Sequence, residues 1–271
     1  MKKLLLALAL ALFALGCASY AQGKDLRVAI DPTYEPFTFK QGGKPTGFDV
    51  DIANALCEQI QRKCVFVEQG WDSMIPGLMA RKYDVIISSM SITEDRQKQI
   101  DFTDKYYNTP SRIVARKDVK FTGAASLKGK RIGVLKASTQ EKYAVGELKP
   151  AGVDVVAYEA QDQVYMDIRA GRLDGTVADH VEATGGFLNK PGGQDFELKG
   201  EDLFIPKYFG TGAGIGLRKG QDALKNELNT AIRTIRATAS TRRSTIGISA
   251  STSTASSPWT ATWPPSSRAL C

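Results

Sequence analysis

Residues 84–96 read DVIISSMSITEDR, an apolar run that turns polar at Ser88 and then meets Ser91, Thr93, Glu94 and Arg96. The run is short enough for a strand buried on both faces, and Ser91 followed three residues later by Glu94 has the spacing of a helix capping box. A strand that feeds a capped helix is the repeating unit of an α/β protein. The arrangement recurs at 131–141, where RIGVL precedes Ser138, Thr139, Gln140 and Glu141. Outward from these two units, strands are expected at 26–30, 65–68, 85–88, 113–115, 132–135, 153–158 and 175–178. Helices are expected at 49–61, 71–82, 94–100, 140–148, 163–170, 181–188 and 221–236. The alternation predicts an α/β fold with parallel strands, and Tyr107-Asn108-Thr109-Pro110 reads as a crossing between two lobes.

The two ends of the chain read differently from its middle. Residues 1–21, MKKLLLALALALFALGCASYA, place two lysines before an apolar run that is too short to span a bilayer, which takes about 20 residues. This is the pattern of a secretory signal peptide cleaved after Ala21. A competing reading makes Cys17 a lipid attachment site, although Ala14-Leu15 inverts the order such sites favour. At the other end, residues 237–271 hold 16 Ser or Thr in 35 positions, with no acid and no apolar periodicity, a composition that cannot bury a core. Codons allowed for residues 237–255, read two bases later, can spell a helical and aromatic chain end. The expectation is therefore an aberrant tail from an altered reading frame, with a natural Ser/Thr-rich tail as the alternative.

The chain of 271 residues carries 36 Lys plus Arg against 29 Asp plus Glu, a formal charge of +7. Lys2, Lys3, Arg242, Arg243 and Arg268 supply +5 of it from the two ends, which leaves about +2 on residues 22–236. That is too little for a phosphate-neutralising surface, so no nucleic-acid partner is expected. Cys57 and Cys64 would stand about 10.5 Å apart on one continuous helix, beyond the ~7 Å a disulfide spans, so the helix must end between them. In an exported protein the pair is expected to oxidise, with a buried free pair as the alternative.

Each helix start exposes unpaired N–H groups and a partial positive charge, a place for a carboxylate or a phosphate. Arg96 falls in the first turn of its helix, where a cation is disfavoured unless an anion is bound, and a guanidinium can grip a carboxylate with two parallel hydrogen bonds. A surface ion pair with Asp95, Glu94 or Asp101 is the alternative. Asp31 and Tyr34 follow the first strand, at the carboxyl end where open α/β sheets hold ligands. Tyr34 and Trp71 could sandwich an extended side chain with Asp31 meeting a cationic tip, or could simply pack in the core. Asp179 ends another strand and suits either an ammonium group or a helix N-cap. His180 is the only histidine, so a zinc cluster of histidines and HExxH are absent, and its adjacency to Asp179 does not make a catalytic triad. The glycines at 210, 212, 214 and 216 miss the GxGxxG register.

DPTYEPF (31–37), GFDVDIANALC (47–57), DVIISSMSIT (84–93), DRQKQIDFTDKYY (95–107), GVLKASTQEKYA (133–144), AGRLDGTVAD (170–179) and KYFGTGAGIGLRK (207–219) together resemble the periplasmic lysine/arginine/ornithine-binding and histidine-binding proteins. These are the solute receptors of polar amino-acid ABC importers. The resemblance implies the type II periplasmic binding protein fold, two hinged α/β lobes with the ligand in the cleft between them. It sets a signal peptide at 1–21, lobe 1 at 22–109 and 206–236, lobe 2 at 110–205, and leaves 237–271 outside the family pattern. It implies that Arg96, with main-chain groups at Ser91 and Thr139, holds an α-carboxylate, and that Asp179 holds an α-ammonium. Asp31 would face the side-chain cation, Ser88 and Ser89 would add hydrogen bonds, and Leu135, Tyr34 and Trp71 would form walls. Cys57 and Cys64 match the family's disulfide. The implied protein is a monomeric periplasmic receptor for lysine, arginine, ornithine or histidine, with a membrane permease as partner and no cofactor, metal or catalytic residue. An exported dehydratase-like enzyme on the same fold is the alternative, with Asp31 or Glu35 as its acid or base. Ala137 stands where relatives commonly have glycine.

Overall fold

The computed structural model describes residues 25–245. The expected signal segment with Cys17, and residues 246–271, lie outside the described residues. Thirteen strands run in chain order: β1 (Leu26–Ile30), β2 (Thr33–Tyr34), β3 (Thr38–Gln41), β4 (Lys44–Thr46), β5 (Cys64–Glu68), β6 (Val85–Ile86), β7 (Asp101–Tyr107), β8 (Ser111–Arg116), β9 (Arg131–Leu135), β10 (Asp154–Tyr158), β11 (Gly175–Asp179), β12 (Phe196–Leu203) and β13 (Ala213–Leu217). The helices are α1 (Phe48–Gln59), α2 (Met74–Met79), α3 (Glu94–Gln97), α4 (Thr139–Tyr143), α5 (Gln161–Arg169), α6 (His180–Glu182), α7 (Pro206–Phe209) and α8 (Asp222–Thr245).

Two five-stranded sheets organise two lobes, in the orders β5-β1-β6-β13-β7 and β10-β9-β11-β8-β12. Strands read from apolar runs pair in parallel: β1 with β5 and β6, β9 with β10 and β11. The expectation of parallel strands throughout is corrected at the far side of each sheet. There β13 runs antiparallel to β6 and β7, and β8 antiparallel to β11 and β12. Both faces of each sheet are covered, as such apolar strands require. Val28 and Ile30 of β1 enter one core while Ala29 enters the opposite one, and Ile113 and Val114 of β8 divide in the same way. The period of two puts alternate side chains on opposite faces.

The chain crosses between lobes twice. The first crossing joins β7 of one sheet to β8 of the other through residues 108–110. The second was expected before residue 206, but the rings of Tyr208 and Phe209 pack 5.5 and 5.4 Å from Tyr143 in the second lobe. The return therefore falls at 210–212, where Thr211 N–H donates to Ile92 O at 3.1 Å and Ile92 N–H donates to Gly212 O at 2.8 Å. Gly210 has φ +71°, and a Cβ there would lie 2.0 Å from the Ile92 carbonyl oxygen, so the crossing needs glycine.

The last helix also differs from expectation. It runs to Thr245 rather than stopping at 236. No glycine or proline interrupts residues 222–246, and the hydroxyls of Thr234 and Thr238 fold back onto the carbonyls of Thr230 and Thr234 at 3.0 Å, which satisfies them within the helix. Its buried face, Leu228, Ala231 and Ile232, closes the first-lobe core. Cys57 and Cys64 form the disulfide, with α1 ending between them as their spacing requires.

Candidate functional site

The carboxyl ends of β1, β6, β9 and β11 converge on a cleft between the lobes. Asp31 follows β1, Ser88 and Ser89 follow β6, Leu135 ends β9 and Asp179 ends β11. A cavity lies there, and all ten residues singled out in the sequence line it: Asp31, Tyr34, Trp71, Ser88, Ser89, Ser91, Arg96, Leu135, Thr139 and Asp179.

Two helix starts face the cavity from opposite lobes. In the second lobe Ser138 caps α4, accepting the Glu141 N–H at 3.0 Å, while the Glu141 carboxylate accepts the Ala137 N–H at 2.6 Å. Ala137 holds φ +57°, the conformation that glycine adopts most easily. In the first lobe the expected cap is corrected: Thr93, not Ser91, accepts the Arg96 N–H at 3.4 Å, because the chain at Ser91 is still extended and bridges to Ala213. Arg96 Nη1 donates to Ser91 O at 3.0 Å, and Nη2 crosses the cleft to Ala137 O at 3.4 Å.

Among the described residues no carboxylate comes within ion-pairing distance of Arg96, so the surface-pair reading fails. Asp95 is taken instead by Lys98 at 2.9 Å and by Lys142 of the other lobe. Loss of water around the guanidinium pushes the Arg96 pKa down to about 10. The ring centre of Trp71 lies 5.2 Å from its guanidinium carbon. Trp71 is thus placed against Arg96 as well as on the cavity wall.

Two buried carboxylates complete the charge pattern. Asp31 Oδ1 accepts both the N–H and the hydroxyl of Thr33, at 3.1 and 2.8 Å, and its main-chain N–H donates to Ser88 Oγ at 3.0 Å. Asp179 Oδ1 caps α6 by accepting the N–H groups of Val181 and Glu182, while Oδ2 accepts the Thr109 hydroxyl. The helix-cap role offered by the sequence is thus filled by one oxygen, while the other faces Thr109 of the crossing segment. Burial pushes both carboxyls up from the usual range, and the hydrogen bonds from Thr33 and Thr109 oppose that rise.

Ser89 lines the cavity, but its hydroxyl donates to Asp49 at 2.8 Å, so the expected hydrogen bond from that hydroxyl to a ligand is committed elsewhere. Sequence reasoning missed Ser111 and Gln140, which line the cavity and join through a 3.0 Å bond from Gln140 Nε2 to Ser111 Oγ. Gln140 was visible as the second residue of a capped helix beside Thr139; nothing in the spacing marks Ser111. Glu35, an acid-base candidate of the enzyme reading, is paired with Lys190 at 2.7 Å and does not line the cavity. His180 turns toward Asp202, 3.7 Å away.

The family described as bacterial extracellular solute-binding proteins, family 3, matches residues 26–244. The chain is 48% identical over 239 residues to the L-arginine-binding protein of Pseudomonas aeruginosa, covering 88% of this chain and 92% of that one. It is 45% identical over 242 residues to the histidine-binding periplasmic protein of Escherichia coli, covering 88% and 93%. Among solved structures, a Salmonella typhimurium periplasmic binding protein of high arginine specificity superposes with a TM-score of 0.73 at 33% identity, over 79% of this chain and 94% of that one.

Proposed function

This chain belongs to the bacterial extracellular solute-binding proteins, family 3, and we propose that it captures a basic L-amino acid in the periplasm and presents it to the permease of an ABC importer. The observation that carries the reading is the charge set of the cavity, one guanidinium without an acidic partner and two buried carboxylates. A basic amino acid carries the complement, one carboxylate and two cations. In this reading Arg96 and the main chain at Ser91 and Thr139 take the α-carboxylate, Asp179 takes the α-ammonium, and Asp31 takes the side-chain cation. Ser88 adds a hydrogen bond, Ser89 has its main-chain carbonyl to offer because Asp49 takes its hydroxyl and Tyr106 its N–H, and Leu135, Tyr34 and Trp71 wall the aliphatic part. The names of the relatives support arginine, histidine, lysine and ornithine as ligands. Residues 1–21 direct export, and the receptor works as a monomer.

The mechanism is recognition and closure. The groups that meet the ligand belong to both lobes, so the ligand binds the closed form more tightly than the open one and shifts the population toward it. No catalytic residue is assigned. Of the two acids a dehydratase-like reaction could use, Glu35 pairs with Lys190 at 2.7 Å and does not line the cavity, and Asp31 is given the cation-binding role in this reading.

The test is Asp31→Asn, followed by titration calorimetry with arginine, lysine and glutamine. Leaving a buried cation without its carboxylate weakens arginine and lysine by about 30-fold or more, with a much smaller change for glutamine. Equal losses for all three ligands would refute the side-chain assignment.

A further inference from the structure

Ser88, Ser89 and Ser91 line the cleft, and Ser89 between them has φ +55°, in the left-handed region that a serine seldom adopts. A strained residue beside a binding site persists only where its surroundings fix it. What fixes Ser89 lies behind the cleft. Asp49, the second residue of α1, is fully buried and takes no part in lining the cavity. Its Oδ2 accepts the Ser89 hydroxyl at 2.8 Å and the Thr38 hydroxyl at 3.4 Å, and its Oδ1 accepts the Tyr106 hydroxyl at 2.8 Å. The Tyr106 oxygen in turn accepts the Ser89 N–H at 3.1 Å. Asp49, Tyr106 and Ser89 thus close a ring that grips Ser89 by its side chain and its main chain together. On either side of the gripped residue, Ser88 Oγ accepts the Asp31 N–H and the Ser91 carbonyl accepts Arg96, both at 3.0 Å.

We propose that Asp49 is a positioning residue for the solute site: directly and through Tyr106 it clamps Ser89 in the left-handed conformation, and so sets Ser88 against Asp31 and Ser91 against Arg96. The proposal rests on reading the cleft as the amino-acid site. A carboxylate is needed because three hydroxyls donate to it; an asparagine presents a single oxygen, and its amide must find an acceptor where Tyr106 already accepts from Ser89. Burial pushes the Asp49 carboxyl up to about 6, against the pull of those donors.

The test compares Asp49→Asn and Tyr106→Phe, each alone and combined with Ser89→Gly, by calorimetry with L-arginine and L-histidine at a temperature where circular dichroism shows each variant folded. Because misplaced binding groups lose much of their contribution, the dissociation constant should rise about tenfold in Asp49→Asn and by a smaller factor in Tyr106→Phe. Ser89→Gly, which adopts positive φ freely, should restore part of that loss, a rescue that a merely stabilising Asp49 would not give. Ligand-free crystal structures of the variants should show Ser89 leaving φ near +55°. Folded variants that bind like the parent, or that keep Ser89 left-handed, would overturn the proposal. If Asp49→Asn does not fold, Tyr106→Phe decides alone. A parent that binds neither amino acid would refute the reading of the cleft, and with it the role assigned to Asp49 in solute binding; the ligand-free structures would still decide whether Asp49 sets Ser89.

Discussion

The guanidinium of Arg96 has lost much of its water and, among the described residues, has no acid of its own. A carboxylate supplied by a ligand relieves both conditions. Arg96→Lys keeps the charge but loses the planar fork, so affinity for arginine and histidine should fall by about 10- to 100-fold while the melting temperature of the free protein barely changes. Calorimetry and a melt on the same sample check both halves; an unchanged dissociation constant would remove Arg96 from the site. This residue was legible because the sequence puts a cation in the first turn of a helix expected at 94–100, although the helix that forms is a single turn, Glu94–Gln97, with Arg96 near its end. The roles proposed for Ser88, Ser91 and Thr139 came from the family resemblance. The turn of the Ser89 hydroxyl toward Asp49 was not legible, since it depends on a left-handed backbone and on Tyr106, 17 residues away.

At the scale of elements, β1, β6, β9 and β11 were legible because most of their side chains are apolar and buried, with polar or charged residues only at Arg27, Arg131, Thr176 and Asp179. Strand β13, AGIGL, is hidden by glycines that miss the GxGxxG register and instead serve packing: a Cβ on Gly214 would lie 2.8 Å from Ile92 Cδ1. Strands β7 and β12 carry charged residues that face water, which hid them from an apolar criterion. Helix α8 was legible by its period up to 236, but its extension to Thr245 rests on the absence of breakers rather than on apolar spacing. Its contribution is concentrated at Leu228, which is fully buried in the first-lobe core. Leu228→Ala should destabilise the protein by about 2–5 kcal/mol, read from the denaturant midpoint, and a loss under 1 kcal/mol would mean that α8 is not part of the core.

At the scale of the whole molecule, the two lobes meet along a rim of opposite charges. Lys136, Lys142 and Lys190 of the second lobe reach Asp72, Asp95 and Glu35 of the first, with Lys136–Asp72 at 3.3 Å and Lys190–Glu35 at 2.7 Å. Each pair is partly exposed and contributes at most about 1 kcal/mol, but all three form together only when the cleft is shut. Raising the ionic strength from about 0.05 to 0.5 M should therefore weaken ligand affinity a few-fold, and a triple Lys→Ala variant at positions 136, 142 and 190 should lose much of that dependence. Parallel salt slopes for the two proteins would show that the rim does not contribute to closure.

The central claim, a receptor whose closed form is held by a basic amino acid, is tested most directly by thermal melts of the protein alone and with saturating arginine, lysine, ornithine, histidine, glutamine or glutamate. A ligand at about 1,000 times its dissociation constant adds roughly 4 kcal/mol, which for a protein of this size is a rise on the order of 8 to 16 °C. The account predicts that rise for basic amino acids and little or none for glutamine and glutamate. A cooperative melt that no basic amino acid moves, or one that glutamate moves most, would contradict it.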